Sequence, residues 1–418
     1  MAGIYIHIPF CKQACHYCDF HFSTSVKNKN AFLAALKNEI RFRKNYFSIP
    51  TARGNEGSSN FPLSPIQTIY FGGGTPSLLT SEELLGIFEV LNACFTIEKN
   101  AEITLEANPD DLTPEKLSEL KKTPVNRLSI GIQSFEDIDL GLLNRSHNSF
   151  QAIQSVKHAI DLGFDNITLD LIYGIPTLTN ESWKSNLEKA FSLNVPHISA
   201  YCLTAEPKTA MADFIKKGKL IPGKGSNPAI KWMLDDDKSA SQFEILLNEM
   251  EANNFVQYEI SNFCKTDLLQ GGTSGFINEK GYPGRVGIHN SNYWKGNNYI
   301  GFGPSAHSFN GDSRQWNVSN NPLYIKSYEK NQMNFELEIL TEENKYNEYI
   351  LTSLRTIWGC SLETVKNNFG ETLLIYLLKN AQPYLSQNFL TRDQSILTLT
   401  KKGKFISDKI ISDLFVLQ

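Results

Sequence analysis

Three cysteines lie within eight residues near the start of the chain, at Cys11, Cys15 and Cys18. Their C-x3-C-x2-C spacing differs from that of zinc sites, which commonly use four ligands in two CxxC pairs. It also differs from the even cysteine sets of short secreted disulfide proteins. Three thiolates packed this closely can hold three irons of a cubane iron–sulfur cluster, and the fourth iron then stays open to an external ligand. The remaining alternative is three cysteines buried in a core, which their density in one loop disfavours.

The elements that must position this loop alternate between strand and helix patterns in the first half of the chain. The expected strands are residues 4–8, 66–71, 102–106, 127–132, 167–172 and 197–202. The expected helices between them are residues 32–42, 81–91, 113–120, 151–162 and 180–193. Because right-handed crossovers curl a parallel array, we expect an α/β fold with a partial (β/α)6 barrel. The cysteine loop follows the first strand, at the carboxyl ends of the strands, where such folds carry their chemistry.

Loop-forming residues dominate two segments, 48–65 and 270–287. Beyond residue 320 the pattern becomes mostly helical and resembles a winged-helix module. The elements expected there are helices at 346–358, 362–369, from 373 onward and at 403–415, with an extended segment at 395–399. We therefore expect a barrel domain at 1–235, a smaller α+β extension at 236–320 and a C-terminal, winged-helix-like, α-rich domain at 321–418.

Composition narrows the possible partners and location. The net charge of −4 gives no electrostatic case for binding nucleic acid, and residues 341–418 balance nine Lys/Arg against eight Asp/Glu. No run of about eighteen apolar residues predicts a membrane span, and the first residues lack the pattern of a secretory signal. The odd total of seven cysteines favours a reducing compartment, so we expect a cytoplasmic protein. The four remaining cysteines are expected to be small buried thiols: Cys94, Cys202, Cys264 and Cys360.

The loop sequence IYIHIPFCKQACHYCDF resembles the opening of the radical S-adenosylmethionine family. More narrowly, it is similar to the group that contains oxygen-independent coproporphyrinogen III oxidases and haem chaperones. The motifs that extend the resemblance are FGGGTPS (71–77), ITLEANP (103–109), RLSIGIQSF (127–135), LNRSH (143–147) and DLIYGIP (170–176). The resemblance implies that the three cysteines ligate a 4Fe–4S cluster and that S-adenosylmethionine chelates its open iron.

The same resemblance implies which residues surround these cofactors. Taken singly, each is more often a structural or surface residue, and only the joint placement gives it a role. Arg145 would pair the methionine carboxylate bidentately, and Asp170 would take the ribose hydroxyls. Glycines after a strand let the backbone approach a ligand closely. The implied cofactor-binding residues are Tyr5, Gly73, Gly74, Thr75, Glu106, Gln133, Arg145 and Asp170.

Three features favour the haem-chaperone group over the oxidases. Phe20 stands where the oxidases carry a further cysteine, and only ten residues precede Cys11, where the oxidases have an N-terminal extension. HNSNYW (289–294) matches the HNxxYW motif of the chaperone group. His289 is therefore a candidate axial ligand for haem iron, with a buried, hydrogen-bonded structural histidine as the alternative. The histidines considered after it are His307 and His21, while His16 lies inside the cysteine loop.

These inferences favour a haem chaperone that binds haem, a 4Fe–4S cluster and S-adenosylmethionine. It would pass haem to acceptor proteins, respiratory ones among them, and reach a membrane only through such a partner. The alternative is an enzyme that decarboxylates coproporphyrinogen III oxidatively, and cleavage of S-adenosylmethionine stays open under both. A DNA-binding regulator is a third hypothesis, which the charge balance opposes. The glycine-rich segment 270–287 is longer than the corresponding linker of the group and either gates a haem face or is inert.

Overall fold

The computed structural model describes residues 2–48, 65–221, 230–266, 285–330 and 332–416. Its strands are β1 (Ala2–Ile8), β2 (Ile66–Gly73), β3 (Ile97–Ala107), β4 (Arg127–Gln133), β5 (Ile167–Tyr173), β6 (His197–Cys202), β7 (Leu220–Ile221), β8 (Ile230–Lys231), β9 (Phe255–Glu259), β10 (Asn262–Lys265), β11 (Asn298–Phe302), β12 (His307–Phe309), β13 (Ser313–Asn317), β14 (Phe335–Ile339), β15 (Cys360–Ser361), β16 (Leu390–Asp393) and β17 (Ile396–Leu399). Its helices are α1 (Lys29–Phe42), α2 (Ser81–Cys94), α3 (Pro114–Leu120), α4 (Asp137–Leu142), α5 (Ser149–Asp161), α6 (Asn180–Ser192), α7 (Ala210–Lys216), α8 (Asp236–Ala252), α9 (Ile288–Trp294), α10 (Asn321–Glu329), α11 (Glu342–Leu354), α12 (Leu362–Ser386), α13 (Lys401–Lys404) and α14 (Ser407–Asp413).

A twelve-stranded sheet forms the centre of the molecule, in the order β14-β13-β12-β11-β1-β2-β3-β4-β5-β6-β10-β9. The six predicted strands are confirmed as β1 to β6, which run parallel to one another. Their register brings Ile4 beside Ile69 and Ile69 beside Ile103. Most side chains on both faces of these strands are buried, except at the start of β3 and the end of β6. The predicted α/β barrel-type fold is therefore confirmed, and helices connect its parallel strands.

The second half of the chain completes the sheet from both sides. On one side β11 pairs with β1 in parallel, and β12, β13 and β14 follow antiparallel. On the other side β10 and β9 add an antiparallel pair beyond β6. The parallel partner of β1 was not predicted, because a pairing between Ile4 and Ile300 leaves no local pattern in the sequence.

Helix starts follow the capping chemistry of the sequence. Thr80 accepts a hydrogen bond from the backbone N–H of Glu83, and the Glu83 carboxylate accepts one from the Thr80 N–H, which forms a capping box for α2. Asn148 and Gln151 make the same reciprocal pair at α5. Helix α4 was not predicted, since its six residues are too few to display a period.

A buried ion pair ties α1 to the added strands. Arg43 and Glu39 lie one helical turn apart with 2.9 Å between Nη1 and Oε1, and both are almost inaccessible to solvent. Tyr324 and Asn317 donate hydrogen bonds to the Glu39 carboxylate at 2.6 Å and 2.7 Å. Arg43 donates to the carbonyl of Gly301 at 2.7 Å. Because every charge has partners, this network fixes β11, β13 and α10 against α1.

The C-terminal part has its own hydrophobic core, which begins at Tyr346 and ends at Leu414. It contains a three-stranded sheet in the order β15-β17-β16, consistent with the winged-helix resemblance. Residues 321–339 pack elsewhere, because Tyr324 and Tyr328 belong to the main core and β14 to the main sheet. The domain division at 235 and 320 stays a prediction, and the packing places the start of the last core near residue 340.

Several expected boundaries in the C-terminal part differ from the structure. Helix α11 ends at Leu354 rather than at residue 358. Helix α12 breaks at Gly370, whose φ of 87° separates the two helices that were expected, and its second half runs on to Ser386. The single final helix expected at 403–415 is divided into α13 and α14. Strand β16 was missed, because its sequence LTRD alternates too briefly to be recognised.

The expectation that all four remaining cysteines are buried is wrong for two of them. Cys264 and Cys360 are buried, but Cys94 is half-buried and Cys202 is exposed. Each exception is the last residue of its element, where a strand or helix leaves the core. Residues 49–64 of the first expected loop and 270–284 of the second lie outside the described residues. None of the helices in the described part of the chain is sufficiently long and apolar to cross a lipid bilayer.

Candidate functional site

A cavity of about 790 Å³ opens among β1 to β6, toward the carboxyl ends of these strands. All the residues that the sequence analysis selected for cluster and cofactor binding line this cavity. They are Tyr5, Cys11, Cys15, Cys18, Gly73, Gly74, Thr75, Glu106, Gln133, Arg145, Asp170 and His289. Residues that are separated by more than 280 positions in the chain are thus assembled by the parallel sheet into one site. Their individual roles stay predictions.

The cysteine loop is fixed to its surroundings by backbone hydrogen bonds. The N–H of Cys11 donates to the carbonyl of Ser23 at 3.0 Å, and the N–H of His16 donates to that of Leu143 at 3.1 Å. The N–H groups of Gly74 and Thr75 donate to the carbonyls at the end of β1 and the start of the loop, at 2.9 Å and 2.7 Å. The loop and the glycine turn are therefore one joined structure.

The glycines of this turn are required by packing between protein segments. A Cβ on Gly74 would lie 2.7 Å from the carbonyl oxygen of Phe10 and 2.8 Å from that of Ile8. A Cβ on Gly73, whose φ is +107°, would lie 2.5 Å from the ring of His7. From their position after a strand, these glycines were expected to allow close approach of a ligand. The contacts show that they first allow β2 to approach β1 and the cysteine loop.

The three thiols are half-buried at the wall of the cavity. Burial raises the pKa of Cys18 to about 12 and also raises the pKa of Cys11, so both are neutral thiols until a metal displaces their protons. Among the described residues, no three histidine, cysteine or carboxylate side chains are arranged to hold a single metal ion. In a cubane cluster, each thiolate binds a different iron.

Arg145 connects the cysteine loop to the strand ends. Its Nη1 group lies 3.4 Å from the Sγ atom of Cys15, and its Nη2 group donates to the Asn108 side-chain carbonyl at 2.7 Å and to the Gly131 carbonyl at 2.9 Å. The guanidinium is thereby held in one orientation beside the thiols. Asn108 was not singled out by the sequence analysis, although it lies in the ITLEANP motif and lines the cavity.

Two carboxyl groups lie deep in the cavity. Glu106 accepts hydrogen bonds from the Tyr70 hydroxyl at 2.8 Å and from the Gly73 N–H at 3.1 Å. Asp170 accepts one from the Ser129 hydroxyl at 3.0 Å. Desolvation raises the pKa of Glu106 to about 7 and that of Asp170 to about 6. Both carboxyl groups would therefore gain from a cationic ligand, which favours their ionised forms.

Gln133 ends β4 in a conformation that is unusual for a residue with a side chain. Its φ is +65°, and the register between β4 and β5 shifts between Ile130 and Gln133. Such a bulge at the end of a strand redirects the side chain, and here it lies at the cavity beside Gly131. Left-handed backbone at a cavity wall is typical of functional sites.

His289 occupies a closed environment inside the barrel. Its Nδ1 atom is 2.7 Å from the Thr68 hydroxyl, its Nε2 atom is 2.9 Å from the Tyr293 hydroxyl, and its ring stacks on Tyr70. Burial lowers the pKa of His289 to about 3, so the ring is neutral. Both ring nitrogens already have protein partners. Iron coordination through Nε2 would require the bond to Tyr293 to break, which supports the structural alternative.

The helix that carries His289 is itself held by a buried carboxylate. Glu102 on β3 accepts hydrogen bonds from the N–H groups of Ile288 and His289 at 3.0 Å and 2.9 Å. Arg127 on the neighbouring strand lies 3.8 Å from the same carboxylate. The sequence analysis missed this contact, because Glu102 was visible only as the first residue of a strand. Glu102 therefore positions helix α9 inside the barrel.

The other histidines that were considered lie in different places. The Nε2 group of His21 donates to the side-chain oxygen of Asn321 at 2.7 Å, and His16 contacts the Leu142 carbonyl at 2.9 Å through Nδ1. His307 lies in a neighbouring cavity and stacks on Trp316. Neither His16, His21 nor His307 lines the first cavity.

Comparisons with known proteins agree with this geometry. Residues 5–190 match the radical SAM superfamily, and residues 340–406 match the HemN C-terminal domain. The solved structure of coproporphyrinogen III oxidase (HemN) from Escherichia coli, a radical SAM enzyme, superposes with a TM-score of 0.78 at 21% identity, over 99% of this chain and 90% of that one. The fold and the site thus define a radical S-adenosylmethionine protein of the coproporphyrinogen III oxidase-like group.

Relatives that match nearly the whole chain identify a narrower family. It is 32% identical over 414 residues to the Bacillus subtilis protein named "Heme chaperone HemW", covering 98% of both chains. It is 33% identical to a Dictyostelium discoideum protein named "Radical S-adenosyl methionine domain-containing protein 1, mitochondrial", covering 98% of this chain and 93% of that one. The chain belongs to the HemW family within the radical S-adenosylmethionine proteins.

Proposed function

We propose that the protein is a cytoplasmic haem chaperone that binds haem together with a 4Fe–4S cluster and S-adenosylmethionine, and transfers the haem to acceptor proteins. Respiratory haem proteins would be among the acceptors. The observation that carries the proposal is the convergence of Cys11, Cys15 and Cys18 with Glu106 and Arg145 on one cavity, in a chain of the HemW family.

The donors at the cavity fit a cluster with one open iron. The three cysteines would supply three thiolates, and Arg145 beside Cys15 would stabilise the negative charge of a thiolate by a charge-assisted hydrogen bond. Thr75 lowers the pKa of Cys11 by a hydrogen bond, against the larger effect of burial. When bound, the cluster supplies an electron that can cleave the sulfonium carbon–sulfur bond of S-adenosylmethionine.

The remaining charges of the cavity suit the other cofactor. S-adenosylmethionine carries a sulfonium cation, which would favour ionised Glu106 and Asp170. Its carboxylate would pair with Arg145, whose orientation Asn108 fixes by a hydrogen bond of 2.7 Å. The protein groups would thus bind and orient the nucleotide before any chemistry takes place.

One side chain at the rim argues for the chaperone over the oxidase. Phe20 is 66% exposed and lines the cavity, in the position where oxidases of this group carry a further cysteine. A phenylalanine cannot provide the thiol chemistry of that position.

Parallel incubations separate the two functions. Anaerobically reconstituted, reduced protein is supplied with S-adenosylmethionine and either coproporphyrinogen III or haem, and the haem-loaded protein is then mixed with a haem-depleted globin. We expect a haem-bound absorption spectrum, transfer of haem to the globin and no protoporphyrinogen IX. Formation of protoporphyrinogen IX would overturn the chaperone assignment. Failure of the wild-type protein to bind haem would overturn it as well.

A further inference from the structure

A second cavity, of about 910 Å³, lies beside the first, between helix α9, strands β11 to β13 and helices α11 and α12. This volume is near the upper end for small-molecule sites. Its wall is rich in aromatic side chains: Tyr5, Phe20, Tyr293, Trp294, Tyr299, Phe309, Tyr349, Trp358 and Phe369. Tyr5, Phe20 and Tyr293 also line the first cavity, so the two cavities share a wall. Flat aromatic faces are suited to a planar macrocycle.

The two cavities differ in the charged side chains that line them. Three basic side chains, Lys295, Arg314 and Lys345, and the carboxylate of Glu348 line the second. Arg314 pairs with Glu348 at 2.7 Å, and Lys345 pairs with Asp312 at 2.9 Å. The acidic and basic residues that line the first are Asp19, Glu106, Asp170 and Glu206 against Arg127 and Arg145. The acidic side chains of the first cavity favour a cationic ligand. In the second, a macrocycle with two carboxylates would pair with Lys295 and would compete with Glu348 and Asp312 for Arg314 and Lys345.

His307 provides an imidazole at the wall of the second cavity. Its side chain is exposed, its ring stacks on Trp316 with 5.7 Å between centroids, and its nitrogens have no hydrogen-bond partner within the part of the chain that the structure describes. Desolvation and the nearby Arg314 lower the pKa of His307, so the neutral ring, the form that binds iron, prevails at pH 7.

The other histidines are less suited to bind iron. His7, His197 and His289 each have partners on both ring nitrogens. Within the described ranges, His16, His21 and His147 each have one hydrogen-bond partner and lie outside the second cavity, and His158 on helix α5 lines neither cavity.

The HNxxYW helix forms part of the partition between the cavities. His289 and Asn290 line the first cavity only, Tyr293 lines both, and Trp294 and Lys295 line the second. His289 and Tyr293 lie one turn apart and are joined at 2.9 Å, so the histidine fixes the tyrosine that separates the sites. The motif can therefore serve haem binding through its last residues rather than through its histidine.

We propose that haem binds in the second cavity, with His307 as the axial ligand of its iron and with Lys295, Arg314 and Lys345 around its propionates. This assignment rests on the proposed function, because haem binding is inferred from membership of the HemW family. The second cavity indicates only where the haem lies. It places the haem and the S-adenosylmethionine in adjacent cavities, on either side of Tyr293 and Tyr5.

Haem titration of the full-length reconstituted protein tests the ligand. The variants are His307→Ala, His289→Ala and, as a control outside both cavities, His158→Ala, each followed by difference absorption and by electron paramagnetic resonance of the ferric haem. We expect His307→Ala alone to shift the Soret band and the ferric spin state and to weaken binding by at least about tenfold. Added imidazole should restore the wild-type spectrum of this variant, which a merely misfolded protein would not show.

Two outcomes distinguish an error in the axial ligand from an error in the proposed function. A wild-type spectrum and affinity in His307→Ala would overturn the ligand assignment while leaving haem binding intact. No haem binding by the wild-type protein would overturn the proposed function, and the site with it.

The basic side chains are tested by comparing haem with its dimethyl ester, which lacks the propionate charges. We expect wild-type protein to prefer haem by about tenfold or more, and Arg314→Gln with Lys345→Gln to remove this preference while leaving the affinity for the ester nearly unchanged. Lys409→Gln, an exposed lysine of the last helix, is the matched control. Equal preference in the double variant and the wild type would contradict the placement of the propionates.

Discussion

Replacing Glu106 by glutamine should change the stability of the cofactor-free protein in a pH-dependent way. Burial in the cavity raises the pKa of Glu106 from its ordinary 4.5 to about 7. The folded state therefore holds this proton more tightly than the unfolded state does. Stability is lost as the pH rises from about 4.5 to about 7, and the full loss is present above that range.

The size of the effect follows from the two pKa values. A difference of about 2.5 pKa units costs the folded protein about 3 kcal/mol at pH 8 and less than about 1 kcal/mol at pH 5. Glutamine has no charge at either pH and removes this cost. Its amide N–H2 must face either the Tyr70 hydroxyl or the Gly73 N–H, which costs about 1 kcal/mol at both pH values. The difference between the two pH values is therefore about 2 kcal/mol in favour of the variant at pH 8.

Urea unfolding of cluster-free wild-type protein and Glu106→Gln at pH 5 and pH 8 measures this difference. Glu89→Gln, an exposed position on helix α2, is the control and should change the free energy of unfolding by less than about 0.5 kcal/mol at either pH. If Glu106→Gln changed the free energy of unfolding equally at both pH values, the raised pKa of the buried Glu106 carboxyl group would be refuted. The variant should also lose affinity for S-adenosylmethionine, since stability and function oppose each other at such a group.

Two further substitutions test the packing that supports the site. Glu39→Ala should lower the free energy of unfolding by about 3–5 kcal/mol, because Arg43 is left buried without its partner; an unchanged urea midpoint would contradict this. Gly74→Ala should reduce the iron bound per chain although all three cysteines remain, because the added Cβ displaces the loop at Phe10. Gly141→Ala, which meets nothing within 4 Å, should retain its iron. Full iron in Gly74→Ala would contradict the role given to the turn.

The six parallel strands and the position of the site could be predicted because their signals are local. Each strand is a short apolar run closed by a turn, and the cysteines follow the first of them directly. In a parallel sheet, side chains at successive strand ends meet at one edge, so Glu106, Gln133 and the glycine turn could be assigned to the same cavity as the cysteines.

The contacts made by the second half of the chain could not be predicted in the same way. The pairing of β1 with β11 joins Tyr5 to Gly301, and the buried Glu39 network joins residues that lie more than 250 positions apart. Neither leaves a period in the sequence. Glu102 illustrates the same limit, because a carboxylate at a strand start gives no sign that it holds the helix of His289.

The roles of single residues depend on tertiary contacts, which a sequence motif does not show. HNxxYW singles out His289, but its two nitrogens are hydrogen-bonded to Thr68 and Tyr293. The ring of His307 lies at a cavity wall, and its nitrogens have no such partner among the described residues. Likewise, a glycine run after a strand suggests ligand approach, while Gly74 first contacts the backbone of the cysteine loop.

The central claim is that Cys11, Cys15 and Cys18 hold a 4Fe–4S cluster with one iron open to S-adenosylmethionine. Iron analysis combined with electron paramagnetic resonance of anaerobically reconstituted, reduced protein tests it most directly. We expect about four irons per chain, a cluster signal that changes when S-adenosylmethionine is added, loss of the cluster in Cys11→Ala and its retention in Cys202→Ala, a cysteine of the same cavity. Full iron in Cys11→Ala, or a signal that S-adenosylmethionine leaves unchanged, would contradict the claim.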